Sequence, residues 1–162
     1  MGIRHKRIYD TCKDLDYYVH KWRCHKKADY LPRTKVKAAF VLFFPNGKVL
    51  NKSGAFKDAY YIKTDGRELV LKFLHPRENR CEKLLEKRIA RVPNLRRTFA
   101  KVHWHTRYFM LQKYGTARVT KEDVEHLKII WKSHGFVDVK KDNVKMFGNK
   151  AMVIDALKSK RG

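Results

Sequence analysis

The sequence predicts an α+β protein in which antiparallel β-hairpins pack with about three helices. Three observations lead to that class: an apolar stripe at helical spacing between Lys6 and Lys26, Asn-Gly and Asp-Gly pairs set among strand-forming runs, and a capped helical stripe beginning at Thr120. With 162 residues the chain suits one domain, 1–162, with a sub-boundary near 75–80 where Pro76 interrupts the pattern.

In the first stripe Ile8, Cys12, Leu15, Val19 and Trp22 recur at alternating steps of four and three residues, which is one face of a helix. Asp10, Asp14 and Asp16 fall in its first half and Lys21 and Arg23 in its second, as the helix dipole favours. Val36 to Phe44 is rich in β-branched and aromatic residues and is closed by Pro45-Asn46-Gly47, so a strand running into a turn is expected there. A hairpin is expected over Ala59 to Phe73, turning at Asp65-Gly66, because Asp-Gly supplies the positive φ that such turns require. From Pro76 and Asn79 a helix follows, with Cys81, Leu84, Leu85, Ile89 and Val92 on one face and Pro93 closing it.

Ala100 to Met110 then alternates. Val102, Trp104, Tyr108 and Met110 stand against Lys101, His103, His105 and Arg107, which predicts one half-buried strand with a basic outer face. Thr120 precedes Asp123 by three residues and opens a helix bearing Val124, Leu127, Ile130 and Trp131, which Gly135 stops. Short strands are expected at Phe136 to Val139, Val144 to Phe147 and Ala151 to Leu157, the last two turning at Gly148-Asn149. A helix followed by that hairpin gives the C-terminal part a winged-helix-like reading, with Lys140, Lys141, Lys145 and Lys150 on the wing. Glu122, Asp123 and Glu125 in the first turn of the helix would repel phosphate at the end that recognition helices present.

Charge decides the class of partner. The chain has 39 Lys and Arg against 16 Asp and Glu, a formal charge of +23. Self-repulsion at such a charge opposes compaction, whereas neutralising phosphates releases condensed counterions. Placement sharpens the point: from Tyr17 to Lys57 ten Lys or Arg accompany one acid, Asp29, and from Lys87 to Lys121 there is no Asp or Glu. The bases of that second window, Lys87, Arg88, Arg91, Arg96, Arg97, Lys101, Arg107, Lys113, Arg118 and Lys121, with His103 and His105, form the candidate nucleic-acid-binding set. Phe99, Trp104 and Tyr108 interleave with them, a pattern that serves base stacking or, more commonly, burial at period two.

The longest apolar run, Ala38 to Phe44, falls well short of the roughly 18 residues of a membrane span. The first residues lack the apolar core of a signal peptide, and three cysteines make an odd, sparse set, so an intracellular protein is expected. No Gly-rich phosphate loop of the Walker or Rossmann type occurs, and no cofactor is expected. Asp138-Val139-Lys140 has the acid-x-lysine spacing of a metal-dependent nuclease, with Asp65 or Glu68 as distant partners. His103 and His105 share one side of a strand but have no acid near in sequence, and Cys12, His20, Cys24 and His25 lack the Cys-x-x-Cys spacing of zinc sites.

The expectation is therefore a non-enzymatic nucleic-acid-binding protein. It would hold duplex DNA, ahead of RNA, through its phosphate backbone, in transcription regulation or nucleic-acid remodelling. An RNA-bound ribosomal or other ribonucleoprotein component is the alternative, and a metal-dependent nuclease is the second.

Overall fold

The computed structural model describes residues 6–50, 58–64, 66–137 and 139–155. It is α+β, as expected, with five α-helices and seven strands among those residues. The chain divides into two compact units, the first comprising 1–82 and 102–113 and the second 83–101 and 114–162.

In the first unit the predicted stripe forms α1 (Lys6–His25), which buries Ile8, Cys12, Leu15 and Val19. The strand expected at Val36 to Phe44 is instead helix α2 (Arg33–Phe43), which buries Val36, Ala39 and Phe40. Those positions lie at i, i+3 and i+4, and Lys35, Lys37, Ala38 and Ala39 are good helix formers, so helical spacing overrides the β-branched content. Pro32 stands at the N-cap, where its missing N–H costs nothing. β1 (Lys48–Val49) then pairs with β2 (Asp58–Thr64), and β2 forms the expected hairpin with β3 (Arg67–Phe73). Gly66 turns that hairpin at φ 73°, where a side chain would be strained; Asp65 lies outside the described residues.

The single strand expected over Ala100 to Met110 is two, β4 (Val102–His105) and β5 (Phe109–Lys113), folded back at Thr106 to Tyr108. Alternation continued through the bend in the sequence, so periodicity alone did not mark it. The result is one antiparallel sheet of order β1-β2-β3-β5-β4. Tyr60, Ile62, Leu69, Leu71, Phe73, Phe109 and Leu111 of its inner strands join the buried residues of α1 and α2 in one core.

Five hydrogen bonds made by Asp16 and Asn79 fix the β4–β5 bend. Asp16 Oδ1 on α1 accepts from Thr106 Oγ1 and from the Tyr108 backbone N–H, each at 2.7 Å. Asn79, at the start of α3 (Pro76–Ala90), donates through Nδ2 to the carbonyls of Thr106 at 2.6 Å and Arg107 at 2.9 Å. Its Oδ1 accepts from His105 Nδ1 at 2.6 Å, which sets that ring's tautomer. The expected face of α3 is rotated: Leu85 and Ile89 turn inward, but Cys81 and Leu84 are exposed.

The second unit contains α4 (Pro93–Thr98), α5 (Lys121–Lys132) and the hairpin of β6 (Val144–Phe147) and β7 (Lys150–Val153). The capping box at Thr120 forms with Asp123 in both directions at 3.1 Å. Trp131 is fully buried, and its indole N–H donates to Thr98 Oγ1 at 2.9 Å. Leu95, Leu127, Phe136, Val139, Val144 and Val153 complete this core. No strand forms at Phe136 to Val139 among the described residues; Phe136 and Val139 serve as core anchors of a loop.

After β5 the chain runs beside β6, with Thr116 and Met146 exchanging backbone hydrogen bonds at 2.9 and 2.8 Å. A Cβ on Gly115 would stand 2.6 Å from Lys145 Cβ and 2.7 Å from the Phe147 ring. Gly115→Ala is expected to cost about 1–3 kcal/mol through overpacking, measured by urea unfolding, whereas Gly148→Asn at a turn with φ 64° should cost much less.

Candidate functional site

The face of the sheet turned away from the α1–α2 core carries an unexpected group. Residues of a strand alternate, so with Leu69, Leu71 and Phe73 committed to the core, Val70 and Lys72 occupy the other face of β3. Cross-strand register adds Ala59 and Tyr61 from β2 and Met110 and Gln112 from β5. Lys72 is only 6% exposed and Gln112 only 1%. An ammonium removed from water to that degree costs several kcal/mol unless an anion compensates it, so its place on the central strand is costly for a purely structural residue.

Helix α3 follows β3 and carries three glutamates. Glu78, Glu82 and Glu86 are spaced by four, hence on one face, and all three are half-buried, while Arg77, Arg80, Lys83, Lys87 and Arg88 of the same helix are exposed. The acids of this helix are thus less exposed than its bases. Neither Lys72 nor Glu82 and Glu86 stand without an interaction partner.

The second unit holds a further polar corner. A short 3-10 turn, Lys141–Asn143, leads into β6, and the carbonyl of Asn143 accepts the N–H of Ile154 at 2.9 Å. Since Val144 pairs with Val153, this bond extends the hairpin by one step and sets Asn143 beside the residue preceding Asp155. Both are half-buried. Asp138, five positions before Asn143, lies outside the described residues, as does the acid Asp65 expected to partner it; Glu68 is exposed on β3.

The sequence-derived cationic set is distributed over both units. Lys87, Arg88, Arg91, Arg96, Arg97, Lys101, Arg118 and Lys121 belong to the second and His103, His105, Arg107 and Lys113 to the first. All ten Lys and Arg are exposed, but the two histidines are half-buried, and His105 is spent on Asn79. On the proposed wing Lys140, Lys141 and Lys150 are exposed and Lys145 is half-buried. Among the described residues no group of three His, Cys, Asp or Glu could hold a metal. His20 and Cys24 do meet at 3.6 Å, but Cys12 is sealed in the core, its thiol pushed up by burial. No helix of the described residues is long and apolar enough to cross a membrane.

Sequence reasoning had noticed Asp138-Val139-Lys140 but not Lys72, Gln112, Asn143 or Asp155. A lysine within Val70-Leu71-Lys72-Phe73 was the available signal, a charge inside a strand otherwise apolar on both faces. No family model matches the chain, and no curated protein or solved structure matches it either.

Asp16 and His20, which meet Thr106 and Tyr108 of the β4–β5 bend, are shifted by their surroundings. Burial raises the carboxyl of Asp16, against its hydrogen bonds from Thr106 and Tyr108 and the nearby Arg107 and His20. A carboxyl raised on folding stabilises most when protonated, and that contribution is lost as pH climbs from its ordinary value near 3.8 through the raised one. His20, which is within 2.8 Å of the Tyr108 hydroxyl, is lowered by burial and by Arg107, so its contribution is instead lost as pH falls below about 6.5. Asp16→Asn keeps an acceptor for both donors. It is expected to flatten the acid-side fall of stability with rising pH while leaving the neutral-side rise, as measured by denaturant unfolding across pH 3 to 8.

Proposed function

We propose that the protein is an ATP-dependent phosphotransferase of the protein-kinase type. The observation that carries this reading is the juxtaposition of Asn143 and Asp155 at one end of the β6–β7 hairpin, with Asp138 five residues before Asn143. Kinases use this order: a base Asp, an Asn five positions on that holds Mg²⁺, and a second metal-holding Asp beyond a hairpin. Earlier in the chain they place a lysine on the third strand of an antiparallel sheet, followed by a helix whose glutamate holds that lysine over the α- and β-phosphates. Lys72 on β3 and the half-buried acids of α3 stand in that order, and Glu78 and Glu82 lie in the unit of Lys72.

Each role follows from charge. Lys72 neutralises non-bridging phosphate oxygens, and α3 supplies the carboxylate that keeps its ammonium in place. Asn143 and Asp155 would hold Mg²⁺ through hard oxygen donors, and the ion would supply charge neutralisation at the phosphates. Asp138 accepts the proton as an acceptor hydroxyl attacks the γ-phosphorus and the bond to the β,γ-bridging oxygen breaks, releasing ADP.

The chain departs from the kinase pattern in three places. No Gly-x-Gly-x-x-Gly lies between β1 and β2, Phe136-Val137 precede Asp138 in place of His-Arg, and Ala156-Leu157 follow Asp155 in place of Phe-Gly. The proposal is accordingly confined to nucleotide-dependent phosphoryl transfer to a hydroxyl.

Incubation with γ-labelled ATP, Mg²⁺ and casein tests it, with heat stabilisation by Mg-ATP as a second readout. Label transfer is expected, falling roughly 10²- to 10³-fold in Lys72→Met and in Asp155→Asn. Absence of both transfer and nucleotide-induced stabilisation would remove the proposal, as would variants as active as the parent.

A second reading, nucleic-acid binding, is favoured by the exposure of every Lys and Arg from Lys87 to Lys121 in a stretch without acids. Backbone contacts to duplex DNA, in transcription regulation or remodelling, or to RNA in a ribonucleoprotein would both use them. Affinity for mixed-sequence duplex should then fall with salt at a log-log slope of about −5 for roughly six phosphates. Arg91, Arg96 and Arg97 changed together to Gln should flatten that slope, and a slope near zero in the parent would exclude this reading.

A further inference from the structure

A second surface, on α1 and α2 of the first unit, is built for a partner of another kind. Asp14, Tyr17, Tyr18, Lys21, Trp22, His25 and Phe43 line an open groove of about 670 Å³. Its walls are mainly apolar and unusually bare: Tyr17 is 61% exposed and Tyr18 is exposed. Large side chains gathered on one exposed face mark an interaction site more often than scattered single ones do.

The charges around this floor are cationic and held in place. Lys21 Nζ stands 5.1 Å over the Tyr17 ring, and Lys35 Nζ stands 5.1 Å over Tyr18 and 5.5 Å over Trp22. Lys35 Nζ also donates to the Tyr18 hydroxyl at 3.4 Å. Lysines usually lose rotamer freedom on binding an anion; here aromatic faces have already restricted them, which lowers that cost. Asp14 at one end is the single acid in the lining, and ten bases against one acid occupy Tyr17 to Lys57.

We infer that this groove docks an acidic polypeptide segment carrying apolar side chains. The apolar floor takes a Phe or Leu, and the ammonium groups of Lys21 and Lys35 meet flanking carboxylates. A single-stranded nucleic acid is the less suitable occupant, because base stacking needs free ring faces and these rings already carry ammonium groups. The inference rests on this surface alone and stands apart from phosphoryl transfer.

Fluorescence anisotropy with a labelled peptide of Glu interspersed with Phe and Leu tests it on the full chain, with amide chemical-shift mapping to locate the contact. Lys21→Glu/Lys35→Glu is expected to weaken binding about tenfold or more, while Lys48→Glu, exposed on β1, changes it little. Replacing Phe and Leu of the peptide by Ser should weaken binding similarly. Tyr17→Ala, on an exposed ring, gives a variant free of a charge reversal and should also bind less. Equal losses in the Lys48 control, equal binding of the Ser peptide, shifts outside α1 and α2, or displacement of the peptide from these helices by oligothymidylate at lower concentration would each overturn the inference.

Discussion

Burial of β3 on both faces is the constraint around which the first unit is arranged. One face is satisfied by ordinary means, since Leu69, Leu71 and Phe73 meet the apolar stripes of α1 and α2. The other bears Lys72, and a desolvated ammonium must be met by an anion. Lys72 does not stand without an interaction partner, as its burial demands. A hydrophobe of similar volume would fill that place without the desolvation cost, so Lys72 is the costliest residue to bury on this strand.

The polar groups of the β4–β5 bend do different work. Asp16, Asn79, Thr106 and the backbone of Tyr108 satisfy one another and tie α1 and α3 to a turn that apolar packing would not hold in register. Burial raises the carboxyl of Asp16, the one titratable group among them. The excess of cations has two separate outlets: the exposed bases between Lys87 and Lys121, and the lysines set over aromatic rings on α1 and α2.

Where local signals were strong, the elements were legible. The stripe of α1, the Gly66 turn, the Thr120 capping box and the Gly148 turn are each decided by residues a few positions apart. α2 was misread because Val36 to Phe44 satisfies both periods over a short run, and only packing of Val36, Ala39 and Phe40 chose the helix. The bend at Thr106 was hidden because its hydrogen-bond partners, Asp16 and Asn79, are 90 and 27 residues away.

The amino-acid sequence by itself determined the class of fold, the sign and density of the charge, the turn positions and the presence of an Asp-x-Lys pair. These are properties of composition and short-range spacing. Only the tertiary structure decided that Lys72 stands inside the sheet and that Asn143 is brought against the neighbour of Asp155. Burial and long-range pairing are set by which faces meet, and a face's partner is not written in its own segment.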